Sequence, residues 1–405
     1  MRIGIIRETK TPPDRRVPFS PGQVAELTSK YPDHEFVVQS SPIRCFTDQE
    51  YADIGIGIRE DISDCDVLFG VKEVEMDKLI PGKTYFFFSH TAKEQPYNRP
   101  LLKEIATRMI CLVDYEYLTN REGIRLVAFG HWAGVVGAYN GLRAFGERYR
   151  VFKLKPAHEC HDLAEMKKEL SQIKEVVAAI PPVRILITGG GRVAHGAMET
   201  LGELGLEVIT PESFLKGEHA KSVICRIDPW DYVRRTDGEE VTLDHFFKHP
   251  EQYESTFKPY TKVTDLFIPC HFWDPNSPVF MTASDMREPD FQIRVIADVS
   301  CDIKDPIPST IRASTIADPF YGYDPLSEKE TRPFEPGSLT VMAVDNLPGE
   351  LPRDASEDFG QLLSERIIPS LTGNDEEGII ERATIIRNGS LTTEFSYLRN
   401  YLQGK

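Results

Sequence analysis

The segment ILITGGGRVA at residues 185–194 decides how the second half of this chain folds. Its apolar opening predicts a buried β-strand, and the residues after it predict a helix. Gly189 permits a tight turn between the two, Gly191 lets the backbone approach a pyrophosphate, and Ala194 keeps the helix close to the sheet. The turn fits the dinucleotide-binding pattern G-x-G-x-x-A, with the free N–H groups of the helix N-terminus available to an anion.

An acidic residue is expected roughly 20 positions beyond such a turn, at the end of the next strand. Glu212 lies 21 residues after Gly191 and follows the apolar run at residues 207–210. A carboxylate there would bind the ribose hydroxyls and repel a 2′-phosphate, which favours NAD over NADP. The alternative is a glycine-rich turn without a ligand and a glutamate exposed to solvent.

Short apolar strands alternate with helical stretches along most of the chain, which is typical of parallel sheets covered by helices on both faces. The predicted strands are Ile3–Ile6, Phe36–Val38, Val67–Val71, Thr84–Phe88, Met109–Val113, Val183–Thr188, Glu207–Thr210, Leu266–Ile268 and Arg294–Asp298. The predicted helices are Pro21–Lys30, Gln95–Arg108, His131–Arg148, Val193–Leu204 and Ser356–Ile368. Glycines at 134, 137 and 141 predict close packing of the long helix. Residues 212–262 show no assignable pattern.

Length and composition narrow the class of protein. A chain of 405 residues is too long for one ordinary core and predicts two domains. A net charge of −16 argues against nucleic-acid binding, because phosphates would be repelled. No apolar run approaches the ~20 residues of a membrane span, and the early charge argues against a signal peptide. Seven scattered cysteines without a CxxC indicate reduced thiols, so we expect a cytoplasmic protein.

Two polar residues end apolar strands in the first domain and could move protons. Lys72 follows the run 67–71, and His90 follows the run 85–89. Ligands of parallel α/β sheets bind at the carboxyl ends of strands, so both side chains are acid–base candidates, with Glu73 and Glu116 tuning their pKa values. The alternative, in which Lys72 pairs with Glu73 at the surface and His90 caps a loop, is equally consistent with the spacing.

The run His158-Glu159-Cys160-His161 superficially resembles a metal cluster. A structural zinc site needs four ligands at defined spacing, and this run has no second half. We therefore expect a polar loop with a free thiol and no metal. His245, His249 and His271 are likewise expected to be structural or exposed to solvent.

Further motifs are spread over nearly the whole chain: RETK (7–10), RRVP (15–18), GVK (70–72), FFSHT (87–91), DYE (114–116), VAFGHWAG (127–134), ADVS (297–300), VDNLP (344–348) and LPRDASE (351–357). Taken in this order they resemble the lysine-forming saccharopine dehydrogenases. They resemble still more the lysine–2-oxoglutarate reductase half of the bifunctional aminoadipic semialdehyde synthases of animals and plants. Both groups belong with alanine dehydrogenase and the transhydrogenase alpha subunit.

The resemblance implies an α/β fold of two Rossmann-like, doubly wound parallel-sheet domains with a cleft between them. It implies a discontinuous substrate domain, residues 1–140 plus 345–405, and a dinucleotide-binding domain at residues 141–344. It makes Lys72 and His90 the acid–base pair. The positions that hold saccharopine or its halves match Arg16, Gln95, Arg125 and Phe129. The positions that hold the cofactor match Gly191, Arg192, Glu212, Phe272, Val299, Asp345, Asn346 and Leu347.

These expectations describe an enzyme that interconverts saccharopine with L-lysine and 2-oxoglutarate by hydride transfer with a nicotinamide cofactor. The cofactor is NAD or NADP, because relatives differ in this respect, and the protein is a monomer or a homodimer. One alternative is an alanine-dehydrogenase-like enzyme for a smaller amino or imino acid, with fewer cations near Arg125. Another is a non-catalytic, transhydrogenase-like nucleotide-binding subunit, with Lys72 and His90 directed away from the nicotinamide.

Overall fold

The computed structural model describes all 405 residues, which form two compact units. Unit 1 consists of Met1–Phe129 and Pro352–Lys405, and unit 2 consists of Gly130–Leu351. None of the helices has both the length and the apolar composition needed to cross a membrane.

The elements follow the chain in three stretches. Residues 1–129 form β1 (Arg2–Ile5), α1 (Pro21–Lys30), β2 (Glu35–Gln39), α2 (Asp48–Ala52), β3 (Gly57–Arg59), β4 (Val67–Phe69), β5 (Thr84–Phe87), α3 (Arg99–Thr107) and β6 (Cys111–Asp114). Residues 130–351 form α4 (Gly130–Tyr149), α5 (Leu163–Ala179), β7 (Arg184–Thr188), α6 (Arg192–Gly202), β8 (Glu207–Val208), α7 (Pro211–Leu215), β9 (Val223–Ile227), α8 (Pro229–Tyr232), β10 (Val233–Arg235), α9 (Leu243–Lys248), β11 (Tyr253–Ser255), α10 (Lys258–Thr261), β12 (Leu266–Pro269), α11 (Ala283–Met286), β13 (Val295–Ala297), β14 (Phe320–Asp324), β15 (Lys329–Thr331) and β16 (Leu339–Met342). Residues 352–405 form α12 (Pro352–Leu362), α13 (Ile368–Thr372), α14 (Ile379–Ala383), β17 (Thr384–Arg387), β18 (Ser390–Leu391) and α15 (Arg399–Gln403).

Unit 1 is built on one eight-stranded sheet in the order β18-β17-β6-β5-β4-β1-β2-β3. Strands β1 to β6 are parallel, whereas β17 and β18 run antiparallel at one edge. The apolar runs of β4 and β5 are buried, and the rings of Phe69 and Phe86 stack at 4.5 Å between centroids. Because the strands are parallel, their carboxyl ends all lie at one edge of the sheet.

Unit 2 has a second eight-stranded sheet, in the order β15-β14-β16-β13-β12-β7-β9-β8. Six of its strands are parallel, and β14 and β15 are antiparallel. The two-domain α/β fold predicted from the sequence is confirmed, but both sheets are mixed rather than wholly parallel. Strand β9, in a stretch that sequence patterns left unassigned, lies between β7 and β8.

Several predicted elements differ in their bounds for local reasons. The strand predicted at 109–113 begins at Cys111, because Met109 has a φ of 56°, which an extended strand does not accommodate. The helix predicted at 95–108 is a 3₁₀ turn followed by α3, with prolines in each first turn. The strand predicted at 207–210 is the two-residue β8.

The unit boundaries also correct the prediction, which assigned residues 130–140 and 345–351 to the first domain. Helices α4 and α6 cross with their backbones in contact: a Cβ at Gly134 would lie 1.8 Å from the Val193 carbonyl oxygen, and one at Gly196 would lie 2.0 Å from that of His131. The Asn140 amide donates to Glu350 Oε1 at 2.8 Å. These contacts tie both segments to unit 2.

Candidate active site and cofactor cavity

The carboxyl edge of the unit 1 sheet carries Lys72 after β4, His90 after β5 and Glu116 after β6. Strand pairing places β4 next to β5 and β5 next to β6, so these residues follow three adjacent strands. The structure therefore brings the sequence-predicted acid–base residues to one edge.

Glu73 connects two cationic groups at this edge. Its Oε1 lies 2.7 Å from His90 Nδ1, and its Oε2 accepts from Lys10 Nζ at 2.6 Å. Burial opposes ionisation of this carboxyl, but the bonds from His90 and Lys10 outweigh it and lower the pKa of Glu73 to about 2. An ionised carboxylate only accepts hydrogen bonds, so His90 Nδ1 carries the proton and Nε2 is left for exchange with a substrate.

The backbone around Lys72 is held by a second carboxyl that sequence analysis missed. Glu8 accepts from the N–H groups of Val71 at 2.7 Å and Lys72 at 2.9 Å. Burial, with a contribution from Asp14, raises the pKa of Glu8 to about 8 although both N–H bonds oppose the rise. The sequence signals for Glu8 were its place in the RETK motif and its position just beyond β1, which neighbours β4.

The side chain of Lys72 is partly buried among charged groups of both signs. Burial lowers the pKa of its ammonium group, and the charge of Arg16 lowers it further, while Asp14 and Glu73 act in the opposite direction. A lysine with a lowered pKa is a better proton acceptor near neutral pH. The surface ion pair of Lys72 with Glu73 does not form, since Glu73 binds His90 and Lys10 instead.

Arg16 is buried and paired within its own loop. Its Nε and Nη2 donate to the two oxygens of Asp14 at 3.0 and 2.6 Å. Burial opposes ionisation of Asp14, but the charge and bonds of Arg16 prevail and hold its pKa well below the usual range. The Arg16 guanidinium lies 4.3 Å from the ring centroid of Phe129, which itself stacks on Phe359 at 4.3 Å. Arg16 and Phe129, two of the predicted substrate residues, are therefore in direct contact.

The other two predicted substrate residues are more exposed. Arg125 Nε donates to the backbone carbonyl of Glu116 at 3.1 Å, and Glu116 Oε1 lies 3.0 Å from Lys93 Nζ and 3.6 Å from Arg125 Nη2. Gln95 is exposed and its backbone carbonyl accepts from Tyr401 Oη at 2.6 Å. Glu116 is thus placed between two cations, one of which, Lys93, the sequence analysis did not single out.

A cavity of about 710 Å³ in unit 2 is lined by the glycine turn and by Arg192. Gly189 has a φ of +100°, and a Cβ there would lie 2.8 Å from the Cys270 carbonyl oxygen. A Cβ at Gly191 would meet nothing within 4 Å, so the backbone at this position faces open space. Ala194 is fully buried in α6, and Gly191 is the N-cap of that helix. This combination fits a dinucleotide pyrophosphate.

Glu212, the residue predicted to bind the ribose of the cofactor, lies elsewhere than expected. Glu212 lies in α7, its side chain is 87% exposed and pairs with Lys216, and it does not line the cavity. The strand beside β7 is β9, and the residue that follows it, Asp228, does line the cavity. Asp228 accepts from Arg226 Nη1 at 2.8 to 2.9 Å, and a Cβ at Gly190 would lie 2.7 Å from its Oδ1. An apolar run ended by an acid, residues 223–228, was the signal available in the sequence.

The remaining residues predicted to contact the cofactor follow other strands of the same sheet. Phe272, after β12, and Val299, after β13, both line the cavity. Asp345, Asn346 and Leu347 follow β16 and lie outside its lining. Asp345 is exposed, whereas Leu347 is buried against α4. Burial raises the pKa of the Cys301 thiol, and the charge of Asp345 contributes to the rise.

Two of the histidines considered in the sequence analysis, His158 and His271, have different surroundings. His158 lies 3.7 Å from Glu350, and no group of three or more His, Cys, Asp or Glu side chains is arranged to hold a metal ion. His271, predicted to be structural or exposed, is buried beside the glycine turn, where its Nδ1 lies 2.7 Å from Thr188 Oγ1. Burial lowers the pKa of His271 to about 3, so its imidazole is neutral.

Comparison with known proteins agrees with the motifs. Residues 4–136 match the family described as alanine dehydrogenase/PNT, N-terminal domain. The chain is 30% identical over 439 residues to the alpha-aminoadipic semialdehyde synthase of Arabidopsis thaliana, covering 98% of the chain and 41% of that protein. It is 30% identical over 452 residues to the mitochondrial alpha-aminoadipic semialdehyde synthase of Bos taurus, covering 100% of the chain and 48% of that protein. The chain therefore spans less than half the length of these relatives.

A shorter relative is matched over most of both chains. The saccharopine dehydrogenase (NAD(+), L-lysine-forming) of Neurospora crassa is 28% identical over 377 residues, which cover 89% of the chain and 88% of that protein. Among solved structures, an L-alanine dehydrogenase matches with a TM-score of 0.67 at 15% identity, covering 100% of the chain and 99% of that structure. The transhydrogenase from Sinorhizobium meliloti matches with a TM-score of 0.57 at 14% identity, covering 97% and 99%. The two structures show the fold alone.

The resemblance expected from the sequence motifs is thereby confirmed. Residues 4–136 match the alanine dehydrogenase/PNT N-terminal domain, and over most of its length the chain is similar to lysine-forming saccharopine dehydrogenases and to part of the alpha-aminoadipic semialdehyde synthases.

Proposed function

We propose that this protein is a nicotinamide-dependent oxidoreductase that interconverts saccharopine with L-lysine and 2-oxoglutarate. The observation that carries the proposal is the polar network of unit 1, in which Lys72 and His90 follow adjacent strands and Glu73 binds His90. The relatives named saccharopine dehydrogenase (L-lysine-forming) support the choice of substrate.

In the reductive direction, the ε-amine of lysine attacks the keto carbon of 2-oxoglutarate and loses a proton. The resulting carbinolamine loses water to give an imine, and hydride addition to the imine carbon with protonation of nitrogen gives saccharopine. We assign these proton transfers to Lys72 and His90. The lowered pKa of Lys72 allows it to accept a proton, and the bond from Nδ1 to Glu73 leaves His90 Nε2 to exchange one.

The cofactor supplies the hydride, and we assign its binding to the cavity of unit 2. Gly189, Gly191 and the N-terminus of α6 would hold the pyrophosphate, and Asp228 would bind the ribose hydroxyls. The negative charge of Asp228 would repel a 2′-phosphate. Asp228 also pairs with Arg226, so this neighbouring cation is not available to bind the phosphate. We therefore propose a preference for NAD(H) over NADP(H), for a reason located at Asp228 rather than Glu212.

The substrate carries several carboxylates, and cations of unit 1 are suited to them. We propose Arg125 as a direct contact, because its guanidinium is partly exposed. Arg16 would provide a fixed positive charge for a substrate carboxylate. Its guanidinium is held in place by the buried pair with Asp14 and by the ring of Phe129.

A substrate panel tests the proposal. The purified chain is mixed with NADH or NADPH and with lysine plus 2-oxoglutarate, or with pyruvate plus ammonia, and the absorbance of the reduced nicotinamide is followed. We expect oxidation of NADH with lysine and 2-oxoglutarate and poor turnover of pyruvate with ammonia. Efficient turnover of pyruvate and ammonia without lysine activity would instead identify an alanine-dehydrogenase-like enzyme. Cofactor binding without turnover of any pair would identify a nucleotide-binding subunit.

A further inference from the structure

Besides Phe272, which is 76% exposed, three further large apolar side chains line the cofactor cavity of unit 2 while remaining open to solvent. Trp230 is 52% exposed, Leu243 is 40% exposed and Phe247 is 57% exposed. Single exposed apolar residues are common on protein surfaces, but several in one concave site usually mark a surface that a ligand covers. Trp230 belongs to α8, the helix that begins directly after Asp228. Leu243 and Phe247 belong to α9.

The helix that carries Leu243 and Phe247 is held in place from the opposite side. The two residues are four positions apart and so share one face of α9. The neighbouring Phe246 is buried, with its ring 4.9 Å from that of Tyr253 in β11, and His245 Nδ1 lies 2.9 Å from the hydroxyl of the same tyrosine. Thr242 caps the start of the helix. Phe247 therefore faces the cavity on a supported element, not on a loose loop.

Sheet topology indicates which part of a dinucleotide this surface would meet. The glycine turn follows β7, and the cavity residues divide between the two sides of that strand. Asp228 and the three apolar residues follow β9, whereas Phe272 and Val299 follow β12 and β13. In doubly wound sheets the two halves of a dinucleotide bind on opposite sides of the strand that precedes the glycine turn, with the ribose carboxylate on the adenosine side.

We propose that Trp230, Leu243 and Phe247 form the binding surface for the adenine ring, with the two aromatic side chains as its main contacts. The inference rests on the proposed function only in taking the ligand to be an adenine dinucleotide. Aromatic side chains stack on bases without needing specific hydrogen bonds, which suits a flat, uncharged ring next to the carboxylate of Asp228.

The test compares ligands that contain adenine with one that lacks it. Affinities of the full chain for ADP-ribose and for reduced nicotinamide mononucleotide are measured by calorimetry and fluorescence for Trp230→Ala, Phe247→Ala and the double variant. We expect the double variant to lose about ten- to a hundredfold in affinity for ADP-ribose. Its affinity for the mononucleotide should stay within about threefold of that of the unmodified protein, because the mononucleotide has no adenine ring. The conservative Trp230→Phe should retain most ADP-ribose affinity.

Leu326→Ala serves as the matched control, because Leu326 is a 79% exposed apolar residue of unit 2 outside the cavity. Unchanged ADP-ribose affinity in the double variant, or an equal loss for both ligands, would overturn the proposal. Binding of ADP-ribose requires neither lysine nor 2-oxoglutarate. A protein that binds ADP-ribose through Trp230 and Phe247 but turns over no substrate would therefore refute the proposed function and leave this inference standing.

Discussion

Lys72 and His90 are single residues whose chemistry depends on carboxyls that other strands supply. We predict that Lys72→Met and His90→Gln each lower kcat by roughly 10²–10⁴-fold, because each removes one proton-transfer group. Their affinity for NADH should change little, since the proposed cofactor cavity lies in unit 2. Steady-state kinetics and NADH titration measure the two effects. Lys78→Met is the control, because Lys78 is exposed and pairs with Asp77, and full activity of Lys72→Met would remove Lys72 from the mechanism.

Asp228 is the residue on which cofactor preference should depend. We predict that Asp228→Ser raises the ratio of kcat/KM for NADPH to that for NADH by about tenfold or more, on the scale of one charge-assisted contact. The substitution removes a repelling carboxylate and releases Arg226, which Asp228 now binds, to pair with a 2′-phosphate. Glu212→Gln should leave the ratio unchanged, because Glu212 lies outside the cavity. A shift with Glu212→Gln and none with Asp228→Ser would restore the original sequence-based assignment.

Glu8 should make the stability of the protein depend on pH. Its pKa is about 8 in the folded protein against an ordinary value of 4.5, so the folded state favours the neutral acid and the unfolded state ionises first. Its contribution is therefore complete below about pH 4.5 and is lost as the pH rises to about 8. We predict that the free energy of unfolding of the native protein, relative to that of Glu8→Gln, falls across this range. Urea unfolding of both proteins tests it, with the exposed Glu26→Gln as control, and a constant difference would contradict the prediction.

Among the elements, the crossing of α4 and α6 depends on the absence of side chains. A Cβ at Gly134 would lie 1.8 Å from a backbone oxygen of α6, so the helices must separate to admit it. We predict that Gly134→Ala lowers the free energy of unfolding by about 1–3 kcal/mol or more. Gly202→Ala is the matched control in α6, because a Cβ there meets nothing within 4 Å, and it should be neutral or stabilising by up to about 1 kcal/mol. Equal effects of the two substitutions in chemical denaturation would contradict close packing at the crossing.

For the whole molecule, the discontinuity of unit 1 has a consequence for folding. The C-terminal segment supplies β17, which pairs with β6, and Phe359, which stacks on Phe129. Ser356 Oγ also accepts from the backbone N–H of Val17 at 2.9 Å. We predict that a chain ending at Leu351 exposes residues 1–129 to rapid proteolysis, because the edge of their sheet and part of their core are lost. Residues 130–351 should stay protected and bind ADP-ribose. Equal protection of both parts in limited proteolysis would show that unit 1 does not need the C-terminal segment.

Sequence patterns could determine the features that depend on neighbouring residues. The glycine turn at 189–191 was predictable because only glycine combines a positive φ with close approach of another backbone, and both requirements are met at Gly189. Lys72 and His90 were predictable as strand-end residues because an apolar run shows where a buried strand stops. Motif resemblance added the likeness to the saccharopine dehydrogenases and a discontinuous first unit, because the matching residues occur in order along both units.

The tertiary structure decided everything that depends on which strands become neighbours. Glu212 was chosen from its distance along the chain, but β9 inserts between β7 and β8, so Asp228 and not Glu212 reaches the cavity. The bonds of Glu73 to Lys10 and of Glu8 to Lys72 join residues more than 60 positions apart. A hydrophobic pattern shows that a strand exists but does not determine the strand it pairs with. Strand order is settled by long-range packing of the whole core, and the charged partners of the proposed site follow from that order.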